Sequence, residues 1–338
     1  HGSFKQTNKQ INTMKNKLLA LLATISLVGS ASAVKINDNI SINGFIDGSY
    51  SNTDTGSAVD TSDIDVDEVE INFLVNAGNV SGELHIDSGE TGRDADLDIE
   101  QVHFTYGFDN GVSIQLGQFG YVAGFEREDP AGLYTFSRAY TDENSNGLQQ
   151  YNIGNVDNNL AEGLRLSYAA EDFTVSLGLT NSAIDQADET TNIEDDLDYE
   201  LAVSYTGIDN LVLNAGIFSE RTNDGVAATA DIDTYSINAA YTIDKLLIGG
   251  EYINREADGA DDTSAYMILA DYDINDKMGI AVRYSEYETG VNSEADQVTI
   301  APNYAITDSL GAILEYSSAE NGIQEVDRSE ERRVGKEC

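Results

Sequence analysis

The chain has 338 residues and an uneven charge, 60 acidic side chains against 18 basic ones, for a formal net charge of −42. That balance excludes nucleic acid as a partner, because a polyanion is gripped through Lys and Arg. The single cysteine, Cys338, excludes a disulfide framework.

The first recognisable element is an export signal. Lys15 and Lys17 follow Met14, an apolar run spans Leu18 to Val28, and Ala31-Ser32-Ala33 offers an A-x-A cleavage site. The run is shorter than the roughly 20 residues a membrane-spanning helix needs. Residues 14–33 are therefore expected to be a signal peptide, and residues 1–13 an upstream over-read or remnant. At the other end the acidic, alternating pattern stops at Asp327. Residues 328–338 resemble a translated sequencing-adapter oligonucleotide, so the natural C-terminus is expected to be missing. The span 34–327 keeps 10 basic and 57 acidic residues, a net charge of −47.

Within that span the pattern has period two, the mark of half-buried strands. A first strand carries Ile40, Ile42, Gly44, Ile46, Gly48 and Tyr50 on one face. A second carries Val69, Ile71, Phe73 and Val75, with Glu68, Glu70 and Asn72 opposite. The pattern continues to a fifteenth strand with Leu310, Ala312, Leu314 and Tyr316 on its apolar face. Pro302 has no N–H for a sheet ladder, which predicts a bulge in the fourteenth.

Connections alternate between short and long. Short turns fall near Gly78-Asn79, Asp109-Asn110-Gly111, Ala170-Glu171-Asp172, Ile208-Asp209-Asn210, Asp244-Lys245, Asn275-Asp276 and Thr307-Asp308-Ser309. Polar, acidic loops are expected over 51–66, 88–98, 119–161, 181–197, 219–232, 254–263 and 287–296. This asymmetry is how outer-membrane barrels are built. A tyrosine precedes most short turns, at positions 106, 168, 205, 241, 272 and 304, and Tyr50, Phe218, Tyr252, Tyr284 and Tyr316 close the odd strands. Two such rows predict aromatic girdles at the two membrane interfaces.

From Tyr199 to Tyr316 the apolar faces are free of charge, whereas the intervening positions include Glu200, Glu251, Asp271, Arg283 and Glu315. A Lys or Arg facing lipid near the midplane costs about 2–4 kcal/mol. A soluble barrel would reverse the pattern, with apolar residues inside. The expected fold is all-β: a transmembrane up-and-down antiparallel β-barrel of sixteen strands, the last strand missing from this chain. The expected location is the bacterial outer membrane, with its lipid and lipopolysaccharide as surroundings.

Several stretches resemble Gram-negative porins, most closely the OmpL-like β-barrel porins. They are Gly44-Phe45-Ile46-Asp47-Gly48-Ser49-Tyr50, Leu116-Gly117-Gln118-Phe119, Gly124-Phe125-Glu126, Asp129-Pro130, Phe136-Ser137-Arg138 and Glu162-Gly163-Leu164-Arg165-Leu166-Ser167-Tyr168. A departure is Ala161-Glu162, where the family pattern has His-Thr before the resuming Gly. The resemblance implies a passive aqueous channel for small hydrophilic solutes and ions, with a homotrimer as one assembly open to it. It also implies that the third long loop folds into the barrel and narrows it. That loop carries Glu126, Arg127, Glu128, Asp129 and Arg138. Strand alternation directs Glu68, Glu70, Glu83, His85, His103, Arg165, Glu200, Glu251, Asp271, Arg283 and Glu315 inward, so these are the expected pore-lining residues. The acidic surplus among them predicts cation preference.

No metal or cofactor is expected. His85 and His103 are expected nearly opposite each other, with Glu83, Asp87 or Glu100 nearby. Two imidazoles fall short of a usual metal site, and a hydrated polar pair is the expected reading. The acidic runs Asp63–Asp67, Asp94–Asp98 and Glu194–Asp198 lack the glycine spacing of an EF-hand and read as solvated loops. An enzyme is not expected, because neither histidine sits near a diagnostic nucleophile motif. The alternative function is a structural or adhesive barrel whose acidic loops bind cations.

Overall fold

The computed structural model describes residues 33–54, 61–88, 97–126, 133–139, 160–181, 197–221, 231–259, 262–289, 293–321 and 324–336. Its first nine strands are β1 (Val34–Lys35), β2 (Ile40–Asp54), β3 (Thr61–Ala77), β4 (Val80–Ser88), β5 (Asp98–Gly107), β6 (Val112–Gly120), β7 (Leu160–Ala169), β8 (Phe173–Asn181) and β9 (Leu197–Ile208). The remaining eight are β10 (Leu211–Glu220), β11 (Ile232–Ile243), β12 (Leu246–Ala257), β13 (Thr263–Asn275), β14 (Met278–Thr289), β15 (Ser293–Thr307), β16 (Leu310–Asn321) and β17 (Gln324–Lys336). No helix among the described residues is long and apolar enough to cross a membrane.

From β2 onward each strand pairs antiparallel with its chain neighbour. β17 also pairs with β2, from Asp327 opposite Asp54 to Lys336 opposite Phe45, which completes a ring of sixteen. The short β1 folds back on β2. Strict alternation of tight turns with longer connections yields this up-and-down order.

The sixteenth position corrects an expectation. The sequence puts that strand beyond this chain, but Gln324–Lys336 fills it, with Glu331 opposite Leu314 and Arg333 opposite Ala312. An open edge in lipid leaves backbone groups unpaired at several kcal/mol each.

The outward faces are apolar. Ile237, Ile268 and Leu314 are 61%, 58% and 51% exposed. Tyr106, Tyr168, Tyr205, Tyr241, Tyr272 and Tyr304 are exposed in a row beside the short turns. Phe218 departs from the second row: it pairs with Glu200 on the inner face and is 1% exposed. Glu286 shares the outward face near the long-loop end, where the Tyr266 and Tyr284 hydroxyls donate to it at 2.6 and 2.7 Å.

Turn chemistry explains the tight connections. Gly78, Asn210 and Asp244 take positive φ values of 70°, 62° and 53°, the left-handed geometry that two-residue hairpins require. Several strands run past their expected ends. The run Asp63–Asp67 lies within β3 rather than in a loop. Pro302 stays in register with Ile280, and the β16 ladder resumes at Asn303 opposite Ile313 with unchanged offset. The irregularity in β15 falls instead between Ala305 and Thr307.

Candidate functional site: a loop docked on the inner wall

The described parts of the connection between β6 and β7 leave the rim and lie against the inner wall. These parts, residues 121–126 and 133–139, reach β9, β12, β14 and β16. A loop without regular structure has backbone N–H groups to satisfy, and buried ones go unpaired only at a cost. Three wall carboxylates meet that need.

Glu200 accepts from the Val122 and Ala123 amides at 2.6 and 2.9 Å. Glu251 accepts from the Phe125 amide at 2.9 Å and from the Ser236 hydroxyl at 2.8 Å. Glu315 accepts from the Phe136 amide at 2.6 Å and from the Ser137 amide at 3.2 Å. A carboxylate accepting from backbone N–H makes a charge-assisted bond, about twice as strong as a neutral one.

Two arginines hold the described loop segments. Arg165 on β7 donates to the Gly120 carbonyl at 2.6 Å, to Gln115 at 2.9 Å and to Glu200 at 3.1 Å. Its guanidinium also lies 4.3 Å from the centre of the Phe119 ring. Arg283 on β14, fully buried, donates to Glu126 at 2.6 Å, to the Thr135 hydroxyl at 2.8 Å and to the Ser137 carbonyl at 2.8 Å. Glu126 in turn accepts from the Ala139 amide at 2.6 Å.

Apolar contacts complete the docking. Tyr121 and Ala123 pack on Ala202 and Phe218, with the Tyr121 and Phe218 ring centres 4.2 Å apart. Burial, ahead of the nearby Asp198 carboxylate, pushes the Tyr121 phenol well above the ordinary tyrosine range, so it stays neutral. Phe125 packs with Ile253, Ala265 and Met267, and also with Leu269, Ala281 and Ala301. Two wall glycines make room: a Cβ on Gly216 would overlap Ala123, and one on Gly249 would overlap Phe125.

The expected site residues therefore divide into groups. Glu126, Arg165, Glu200, Glu251, Arg283 and Glu315 meet at the docked loop. Glu200, Glu251 and Glu315 face inward but lie beneath the loop, at 1%, 5% and 1% exposed. Arg138 is half-buried in the second loop segment. Arg127, Glu128 and Asp129 lie outside the described residues. Glu68 and Asp271 are half-buried on β3 and β13.

Glu70, Glu83 and His85 gather on β3 and β4, together with Glu100 of β5. His103 is not part of that group. It pairs in register with Glu83, its Nδ1 is 3.1 Å from the Gln115 amide nitrogen, and its ring meets Phe119 edge-on. The two histidines are thus one diagonal step apart across the β4–β5 ladder. No sequence pattern marks the backbone partners of Glu200, Glu251 and Glu315. The only signals were the breaks in alternation at Phe218, Ile253, Met267 and Leu269, which put apolar residues on a face otherwise polar.

A sixteen-stranded ring with an apolar exterior and a loop folded onto its inner wall is a porin architecture. The profile of the Gram-negative porin family matches residues 18–324, and the chain belongs to that family. It is an outer-membrane porin, a channel-forming protein. Among solved structures it is similar to a loop-deletion form of OmpT, an outer-membrane protein of Vibrio cholerae, at 15% identity and a TM-score of 0.63, covering 89% of this chain and 100% of that one. The anion-selective porin of Comamonas acidovorans matches at 13% identity and TM-score 0.63, covering 88% and 99%. OmpF of Salmonella typhi, solved with daunomycin, matches at 12% identity and TM-score 0.63, covering 89% and 99%. No curated protein sequence matches this chain.

Proposed function

We propose that the chain forms a cation-preferring pore for small hydrophilic solutes and ions, narrowed by the docked loop. The observation carrying this reading is the pairing of the two arginines at the loop: Arg165 with Glu200 at 3.1 Å and Arg283 with Glu126 at 2.6 Å. Each cation is matched locally by a carboxylate, so neither is left to attract anions. Strand alternation also directs Glu68, Glu83 and Asp271 toward the lumen. A low-dielectric wall focuses the field of such charges into the lumen and concentrates counter-ions there. The likeness to an anion-selective porin at 13% identity concerns the fold and leaves selectivity to the lining.

A homotrimer is the assembly proposed, because a similar OmpT structure is a trimer form. The test is the reversal potential of the full chain in a planar bilayer under a KCl gradient. A cation-selective sign is expected, weakening as salt shortens the Debye length from about 10 Å at 0.1 M to about 3 Å at 1 M. An anion-selective sign would reverse the assignment. A folded preparation with no conductance would favour a structural barrel.

A further inference from the structure

A second cluster of ionisable groups lies on the wall formed by β3, β4 and β5, away from the strands that hold the loop. Glu70 comes from β3, His85 from β4 and Glu100 from β5. The Glu70 side chain is 1% exposed, those of His85 and Glu100 12% and 14%. Among the described residues, neither carboxylate oxygen of Glu70 makes a hydrogen bond, nor does His85 Nδ1 or Glu100 Oε2, although these atoms stand within ion-pair distance of one another. Stranded polar atoms this deep are costly individually, and here they converge. His85 Nδ1 is 3.2 Å from Glu70 Oε1 and 3.7 Å from Glu100 Oε2, and the three donor atoms lie within 4.8 Å of one another.

Backbone geometry supports the convergence. Val102 faces outward, so strict alternation would turn Glu100 outward too. A register shift intervenes: His85 pairs with Gln101, but Ile86 pairs with Ile99, which leaves Glu100 as the extra residue of a bulge. Bulges re-aim side chains and recur beside functional sites. This one turns a carboxylate from the lipid side to the imidazole.

We propose that Glu70, His85 and Glu100 bind one first-row divalent cation, with zinc as the type ion. Zinc bonds to imidazole nitrogen and carboxylate oxygen are about 2.0–2.2 Å long. Tetrahedral angles then put ligand atoms about 3.3–3.6 Å apart, close to the two separations from His85 Nδ1. Two carboxylates and a neutral imidazole also balance a doubly charged ion. His85 Nε2 lies 3.2 Å from Glu83 Oε2. A proton on Nε2 shared with Glu83 leaves the Nδ1 lone pair for the metal, the carboxylate–histidine–metal arrangement that orients such ligands. Glu83 is thus a positioning residue, and the fourth metal position is left for water or solute from the lumen.

The full chain, folded in detergent and stripped with a chelator, is titrated with Co²⁺ and followed by the visible d–d absorption of low-coordinate cobalt. One Co²⁺ per chain is expected, displaced by Zn²⁺. Affinity falls at least a hundredfold in Glu70→Gln and in His85→Gln, and about 10–100-fold in Glu83→Gln. Should a variant not fold, the wild-type chain carries the test. Zn²⁺ is expected to protect His85, and not His103, from diethylpyrocarbonate, as read by peptide mass spectrometry. Absence of the cobalt band, its persistence in a folded His85→Gln variant, or equal labelling of both histidines would overturn the site.

Discussion

Replacing Arg283 by Met tests whether the inner-wall network holds the loop. Met fills most of the same volume but donates no hydrogen bond. The change removes the donor to Glu126, Thr135 and Ser137 and leaves Glu126, itself largely buried, without its cation. Breaking a buried pair from one side costs about 3–5 kcal/mol. At about 1.36 kcal/mol per tenfold, the docked-to-undocked ratio falls by roughly a hundredfold to a few thousandfold. The barrel wall itself should survive, because its ladder is untouched. Single-channel recording should then show a larger and noisier open current than the wild type. Replacing both partners by neutral isosteres is far less costly than replacing one, so Glu126→Gln combined with Arg283→Met should recover most of the wild-type behaviour. A folded Arg283→Met channel with unchanged conductance and noise would refute the anchoring argument, as would a double mutant no better than the single.

Three further predictions rest on the barrel. An epitope inserted in 181–197 should be reachable by antibody on intact cells and one at Asp244-Lys245 should not, because short turns face the periplasm; inverted labelling would reverse the topology. Deleting residues 324–336 unpairs the facing edges of β2 and β16, so the heat-resistant folded band on a gel should vanish, and its persistence would contradict the ring closure. Ile237→Arg puts a cation on a 61% exposed outward position; it should cost about 2–4 kcal/mol in denaturant unfolding from vesicles, and a negligible change would mean that this face does not meet lipid.

The sequence made the wall legible because a strand between lipid and water must alternate, and a charge on the wrong face is expensive. Tyr205, Tyr241, Tyr272 and Tyr304 declare their interface position by chemistry alone, since a ring with one wet edge belongs there. Strand ends were less legible. Above the bilayer nothing penalises charge, so Asp63-Ile64-Asp65-Val66-Asp67 reads as a loop, although β3 continues through it. The bulge beside His85 was invisible, because a one-residue slip in pairing leaves no compositional trace. With it went the facing of Glu100, and so the carboxylate that completes the cluster with Glu70.

The loop contacts were hidden for a different reason. Glu200, Glu251 and Glu315 bond to backbone amides of Val122, Phe125 and Phe136, distant in sequence, and every residue but proline supplies an amide. No side-chain pattern marks such a partner. The consequence bears on electrostatics as much as on folding. Counted by alternation, these three glutamates add to the negative charge facing the lumen. Placed beneath the loop, they spend that charge on N–H dipoles, and Glu200 also on Arg165. A permeating ion therefore meets far less than the net charge of the chain suggests. On the proposed reading, the field it meets comes from inward-facing carboxylates that do not bond to the loop backbone, Asp271 among them. Screening by salt acts mainly on those, because buried, paired charges are screened much less than exposed ones.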